Sequence, residues 1–172
     1  LRSEFFKLAA WPSCLAQSAS AKGLWDTQKG KSYKDLDEKH WASEIINALT
    51  NLNIVEGYED NTVGLNKNII RAEILKLLLD AYALRIYLDE HDDINFTTYD
   101  KEAVLKEVFA DSLAKYEKSP FSDISELNKP WFYNYAIIAY DLGITKGTKN
   151  SLFNGDEYAT RLEAATMVYN FF

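Results

Sequence analysis

Two stretches of the chain place apolar residues at helical intervals on one shared template. Trp41, Ile45, Ala48, Leu49 and Leu52 recur every three or four residues, and so do Trp131, Tyr135, Ile138, Ala139 and Leu142. Each set predicts a short amphipathic helix. Each helix is predicted to stop at a residue that tolerates the left-handed conformation, Asn53 in one case and Gly143 in the other. Turn formers follow, Gly57-Tyr58-Glu59-Asp60-Asn61 and Gly147-Thr148-Lys149-Asn150-Ser151, and read as polar loops. A second helix is predicted from Arg71 and again from Arg161. Ile74, Leu75, Leu77, Leu78, Leu79 and Ala81 are apolar on nearly every side, the pattern of a helix buried among helices; Leu162, Ala164, Ala165, Met167, Val168 and Tyr169 give a milder version. Thr160 and Glu163 have capping-box spacing, whereas Ile70 replaces the Thr in the earlier copy and Asn68 is the candidate substitute.

The two halves are copies of one unit. Trp41, Ile54, Gly57, Arg71 and Glu73 reappear, ninety positions later and without a gap, as Trp131, Ile144, Gly147, Arg161 and Glu163. Each copy opens on an aromatic-x-Asp-aliphatic tetrad, Tyr33-Lys34-Asp35-Leu36 and Phe121-Ser122-Asp123-Ile124. Asp35 lies six residues before its Trp and Asp123 eight, so a loop there varies in length. Leu1 to Phe6 match the start of the second helix and read as the back half of an earlier unit. The expected organisation is therefore that half unit plus a linker over 1–32, a complete unit over 33–84, an insertion over 85–120 and a further complete unit over 121–172. Within the insertion, Asp89, Glu90, Asp92 and Asp93 predict a solvated loop. A helix is predicted from about Asp100 to Lys118, striped by Ala103, Val104, Val108 and Leu113.

Composition narrows the chemistry. With 47% hydrophobic and 14% aromatic residues among 172, the chain can bury a core. Lys and Arg number 19 against 26 Asp and Glu, a net charge of −7, which argues against a nucleic-acid surface and requires any anionic ligand to find a local site. A single Cys cannot form an internal disulfide, and two His cannot assemble the usual zinc ligand sets. The acidic run beside His91 lacks the spacing and central Gly of a calcium loop, and His40 reads as a helix-entry residue. No metal or cofactor is expected. No apolar run approaches the ~18 residues of a membrane span, so no membrane insertion is expected. Phosphate loops, nucleophile elbows and His-Glu-x-x-His motifs are absent, and the chain is not expected to be an enzyme. Ala19-Ser20-Ala21 resembles a signal-peptidase site, but Glu4, Lys7 and Pro12 argue against a leader. The chain does not open on Met and is expected to be a processed product or a fragment.

Taken with their spacing, Phe121-Ser122-Asp123, Trp131, Gly143-Ile144, Gly147 and Thr160-Arg161-Leu162-Glu163 resemble the S-layer homology (SLH) repeat. Asp35, Trp41, Ile54, Gly57 and Arg71-Ala72-Glu73 resemble it too, with departures at Asn53 and Ile70, and Arg2-Ser3-Glu4 is similar to a truncated third instance. The resemblance implies an all-α fold of helix-loop-helix repeats packed as a pseudo-trimeric bundle, with the helical insertion between the two complete repeats. It further implies a noncatalytic anchor of a bacterial surface protein, extracellular, at the cell wall or S-layer. The implied ligand is an anionic, often pyruvylated, secondary cell-wall polysaccharide held in grooves between adjacent units. Arg2, Arg71 and Arg161 are the implied principal contacts, with Gly57, Gly147, Asp35 and Asp123 lining the same grooves.

Physical chemistry frames the roles of these residues. A cation in the first turn of a helix is disfavoured by ~0.3–1 kcal/mol, because the amide dipoles already place positive charge there. Each Arg therefore either pairs with a carboxylate of a neighbouring unit or joins the free helix amides in holding a ligand carboxylate; the resemblance favours the second. Trp41 and Trp131 could stack on a sugar ring, although their place at the head of an amphipathic stripe favours core packing. Gly57 and Gly147 suit positive-φ turns and a close ligand approach. The competing function is an assembly module whose degenerate repeats have lost glycan binding and instead meet other surface-layer subunits.

Overall fold

A computed structural model describes residues 2–10, 14–27, 31–91, 99–148 and 150–172 of the chain; Asp92, Asp93 and Lys149 of the predicted loops lie outside them. The described residues are helical. In order they form α1 (Arg2–Ala10), α2 (Leu15–Ala21), α3 (Ser43–Asn51), α4 (Arg71–Glu90), α5 (Lys101–Val108), α6 (Ala110–Ala114), α7 (Tyr133–Asp141) and α8 (Arg161–Phe171), with a 3-10 turn at Glu126–Asn128. An isolated bridge between Ile70 and Tyr158 is the only β pairing among them. The fold is all-α.

The helices α3 and α7 stop by the same mechanism. Asn53 and Gly143 have φ of 58° and 74°. Ile54 N–H then bonds back to Leu49 O at 2.9 Å and Ile144 N–H to Ala139 O at 2.8 Å, closing Schellman turns that satisfy the last carbonyls. The chain next wraps a loop around a buried aromatic ring, Tyr33 in one copy and Phe121 in the other. At Gly147, φ is 76° and a Cβ would lie 2.7 Å from Leu152 O and 2.9 Å from the Phe121 ring, so only glycine lets the ring close on the turn. Asp35 fastens the other side of its loop by accepting from the amides of Val63 (2.8 Å), Gly64 (2.8 Å) and Leu65 (3.1 Å). Asp123 accepts in the same way from Phe153 and Asn154, each at 2.7 Å.

Packing is exchanged between units. The first helix of a unit lies on the second helix of the unit before it, α3 on α1 and α7 on α4, while α4 packs against both α1 and α8. Helix α4 is apolar all round because α1, α2, α5, α7 and α8 all pack on it. Leu75, Leu78 and Leu79 join Phe6, Ile46, Leu49, Phe121 and Phe153 in the core.

Three expectations are corrected. Helix α4 runs on through Glu90, into the acidic stretch expected to be a solvated loop, because Leu84 and Leu88 are buried and Arg85 pairs with Asp89 one turn on. Asp89 and Glu90 therefore complete a helix rather than open a loop, and Ser18 Oγ donates to Asp89 at 2.8 Å. The insertion helix is broken at Phe109, the residue between α5 and α6, whose buried ring stacks on Tyr82 of α4 with centroids 6.2 Å apart. Trp41 and Trp131 are not core residues: they are 57% and 53% exposed. Both precede the first helical turn, so the 3.6-residue period does not govern them, and the buried entry position falls one residue later, at Ala42 and Phe132.

Asp35→Ala leaves three loop amides without their acceptor. Urea denaturation is expected to show a loss of about 2–4 kcal/mol, with Asp35→Asn retaining part of it.

Candidate functional site at the joints between units

Neighbouring units interlock through one set of bonds used twice. At the start of α1, the amides of Arg2 and Ser3 donate to Lys67 O (3.1 Å) and Leu65 O (3.4 Å) of the next unit's loop. At the start of α4, the amides of Arg71 and Ala72 donate to Glu157 O and Gly155 O, both at 3.0 Å. The side chains repeat the pattern. Arg2 Nε donates to Val63 O at 3.1 Å and Arg71 Nε to Phe153 O at 2.9 Å. Arg2 Nη1 lies 2.5 Å from Glu73 Oε1, in charge contact but out of hydrogen-bond alignment, and Arg71 Nη1 bonds Glu163 Oε1 at 2.8 Å. Arg161 Nη2 reaches Glu4 at 3.2 Å, closing a ring in which each Arg of an Arg-x-Glu triplet meets the Glu of the next triplet.

This geometry pairs two of the arginines with the protein itself. Arg71 is 7% exposed and Arg2 similarly buried, and both guanidinium groups, with the adjacent helix amides, are engaged by protein carbonyls and carboxylates. For these two, pairing across units is what offsets the unfavourable helix dipole. The Arg161 side chain is 85% exposed.

The carboxylates at the joints are themselves held in place. Thr160 N–H and Oγ bond Glu163 Oε2, both at 2.8 Å, forming the predicted capping box. The Thr160 bonds first, and Arg71 after them, hold the Glu163 carboxyl below its ordinary range. Glu73 accepts from Ile70 N–H at 3.2 Å and from Tyr58 O–H at 3.0 Å, so the earlier copy keeps the return half of its box although Ile70 offers no acceptor. Asn68 stands exposed at a crevice rim, and the first amides of α4 bond instead to the third unit's loop.

Crevices open beside these joints. The first, of about 320 Å³, is lined by Arg2, the loop Ile54–Tyr58, Glu73, Lys76 and Trp131. The second, of about 540 Å³, has Arg71, the loop Gly143–Gly147, Glu163, Thr166 and Asn170 at the equivalent positions. The third, of about 190 Å³, brings Trp41 together with Lys7, Trp25, Thr27 and Glu44. Arg161 borders a gap of about 400 Å³ between α1 and α8. The structure thus gathers Arg2, Gly57 and Trp131 in one crevice and Arg71 and Gly147 in another. Trp41 stands apart from every arginine, while Asp35 and Asp123 line none of these crevices and act on the loops from behind.

The sequence reading missed Lys76, Asp80 and Tyr135. Lys76 Nζ bonds Asp80 Oδ2 at 2.6 Å and Tyr135 O–H donates to Asp80 Oδ1 at 2.8 Å, tying α4 to α7 under the first crevice. Burial and then Asp80 push the Tyr135 phenol far up, so it remains a donor. Two charged residues four apart inside an otherwise apolar run were the available signal. Lys101 of the insertion clasps Glu56 and Asn53 O, joining α5 to the loop of the first crevice. No group of His, Cys, Asp or Glu able to hold a metal occurs among the described residues, and no helix there is long and apolar enough to cross a membrane.

With this geometry in view, the comparisons with known proteins are specific. The S-layer homology domain model matches residues 32–75 and 120–165, more than half of the chain, and the chain belongs to this family. An amylopullulanase of Thermoanaerobacterium thermosulfurigenes is 25% identical over 175 residues, an alignment that takes in 81% of this chain and only 9% of that protein. No solved structure matches the chain. The SLH domain is a noncatalytic anchoring module associated with the cell surface.

Two predictions follow from the joints. Arg71→Ala removes a buried guanidinium from the Phe153 carbonyl and from the partly exposed Glu163 carboxylate and is expected to cost about 1–3 kcal/mol in chemical denaturation, whereas Arg161→Ala is expected to stay within about 0.5 kcal/mol. Because the folded-state pKa of Glu163 is depressed, its contribution is present above the ordinary carboxylate range and is lost as pH falls through the lowered value. The melting temperature is expected to drop from about pH 5 downward, and Glu163→Gln to make that drop shallower.

Proposed function

We propose that the chain anchors its protein to the cell wall by binding an anionic secondary cell-wall polysaccharide, pyruvylated or otherwise acidic, in the crevices between units. The observation that carries this reading is the exposure of Trp131 at the mouth of a crevice walled by Arg2, Lys76 and the Gly57 loop. An indole face left in water at a concave site is suited to a pyranose ring, and core packing gives no reason for it. In the second crevice Lys146 occupies the position held by Glu56 in the first and stands exposed, offering a cation to a sugar carboxylate beside Arg71. Arg2 and Arg71 hold the crevice walls in register and lend them positive potential, Gly57 and Gly147 shape the loops, and Asp35 and Asp123 act through those loops. Trp41 offers a second stacking face, and Arg161 an exposed cation. The alternative, an assembly module meeting other surface-layer subunits, draws support from the exposed apolar residues of α8.

Calorimetric titration with purified wall polysaccharide tests this function. Trp131→Ala is expected to weaken binding about 2- to 10-fold with an unchanged melting temperature, and removal of pyruvyl groups to weaken it for the wild-type protein. Binding that is absent from the wild-type protein, or untouched by both changes, would overturn the proposal.

A further inference from the structure

Helix α5 belongs to the insertion and lies outside both stretches that the family model matches, yet its first residue reaches the loop that walls the first crevice. Lys101 Nζ donates to the Glu56 carboxylate and to Asn53 O, the latter at 3.4 Å. The start of the helix is fixed on both sides of that contact. Asp100 accepts from the amides of Glu102 (3.0 Å) and Ala103 (3.2 Å), and Val104 and Leu105 are buried where α5 packs on α4. Lys101 therefore stands in the first helical turn, where backbone dipoles disfavour a cation, with only 21% of its side chain exposed. Its bond to Glu56 is what offsets both costs.

The two larger crevices differ in charge at this position. In the second, the loop itself carries Lys146, and Arg71 and Lys146 face a single carboxylate, Glu163. In the first, Arg2 and Lys76 are already engaged by Glu73 and Asp80, and Glu56 adds a third carboxylate. Lys31 reaches the same residue but donates to its main-chain O at 2.8 Å, leaving the carboxylate to Lys101. Partial burial pushes the Glu56 carboxyl up, but the bond from Lys101, with the charges of Lys101, Lys76 and Lys31, outweighs it and holds the group below its ordinary range. Glu56 is thus an anion that must be balanced. Two cations would otherwise stand against three carboxylates around this crevice, and Lys101 evens the count.

We propose that Lys101 is a specificity-determining residue of the first crevice: the insertion supplies there the cation that the second crevice carries in its own loop, and by neutralising Glu56 it admits an acidic sugar that the crevice would otherwise repel. Lys101 acts through Glu56 and need not touch the ligand. The assignment rests on the glycan-binding reading of the crevices and deepens it, since it makes the acidity of the sugar the property that the first crevice reads.

Calorimetric titration of the whole chain with acidic wall polysaccharide, at low and at high salt, tests this. Lys101→Met is expected to weaken binding about 2- to 5-fold, with a loss that shrinks as salt is raised. Adding Glu56→Gln to Lys101→Met is expected to restore the wild-type affinity, a rescue that a merely loosened loop would not show. Affinity for the same polymer stripped of its acidic groups is expected to be indifferent to Lys101→Met. Wild-type protein that fails to bind would overturn the glycan reading and this assignment with it. Wild-type binding that Lys101→Met leaves unchanged, or a loss that Glu56→Gln does not restore, would overturn the assignment of Lys101 alone.

Discussion

A guanidinium buried at the start of a helix sits where backbone dipoles already concentrate positive charge, and the arrangement of the units depends on how that cost is met. Arg2 and Arg71 each find a carbonyl and a carboxylate on the following unit, and the amides beside them find two more carbonyls. The compensation is available only when the next loop is in register, so the electrostatic cost becomes a device for alignment. Asp35 and Asp123 make that register possible by stiffening the loops that present the carbonyls.

The same joints create the crevices. Each is bounded by the second helix and the glycine-turn loop of one unit, with the arginine of the preceding unit in the seam. The arginines are thus structural in their hydrogen bonds and electrostatic in their effect on the opening beside them. The tryptophans are the reverse case. Standing one step before the helix, Trp41 and Trp131 contribute little to the core and leave their faces in solvent. Copies that share a template still differ at the rim, as Glu56 against Lys146 shows, so the crevices are not chemically equivalent.

Much of the architecture was legible in the sequence, because periodicity, turn residues and the ninety-residue correspondence report local geometry directly. The helix stops at Asn53 and Gly143 and the capping box at Thr160 belong to this class. What escaped were features decided by partners far along the chain. Which carboxylate Arg71 meets is ninety-two residues away, and nothing local distinguishes a carboxylate of the fold from one of a ligand. The extension of α4 to Glu90 depends on cover from α2, a segment outside the repeat pattern. Trp131 was misread because a helical period was applied to a residue that precedes the helix.

The exchange of packing between units has a mechanical corollary. In a linear solenoid each repeat rests on its neighbours in turn, and stability accumulates along the array. Here α3 rests on α1 and α7 on α4, while α4 also packs against both other second helices, α1 and α8, so excising any single unit strips another of its support. Tension arriving through the polypeptide would be spread over several seams at once instead of peeling them apart one by one, a useful property for something that must not let go.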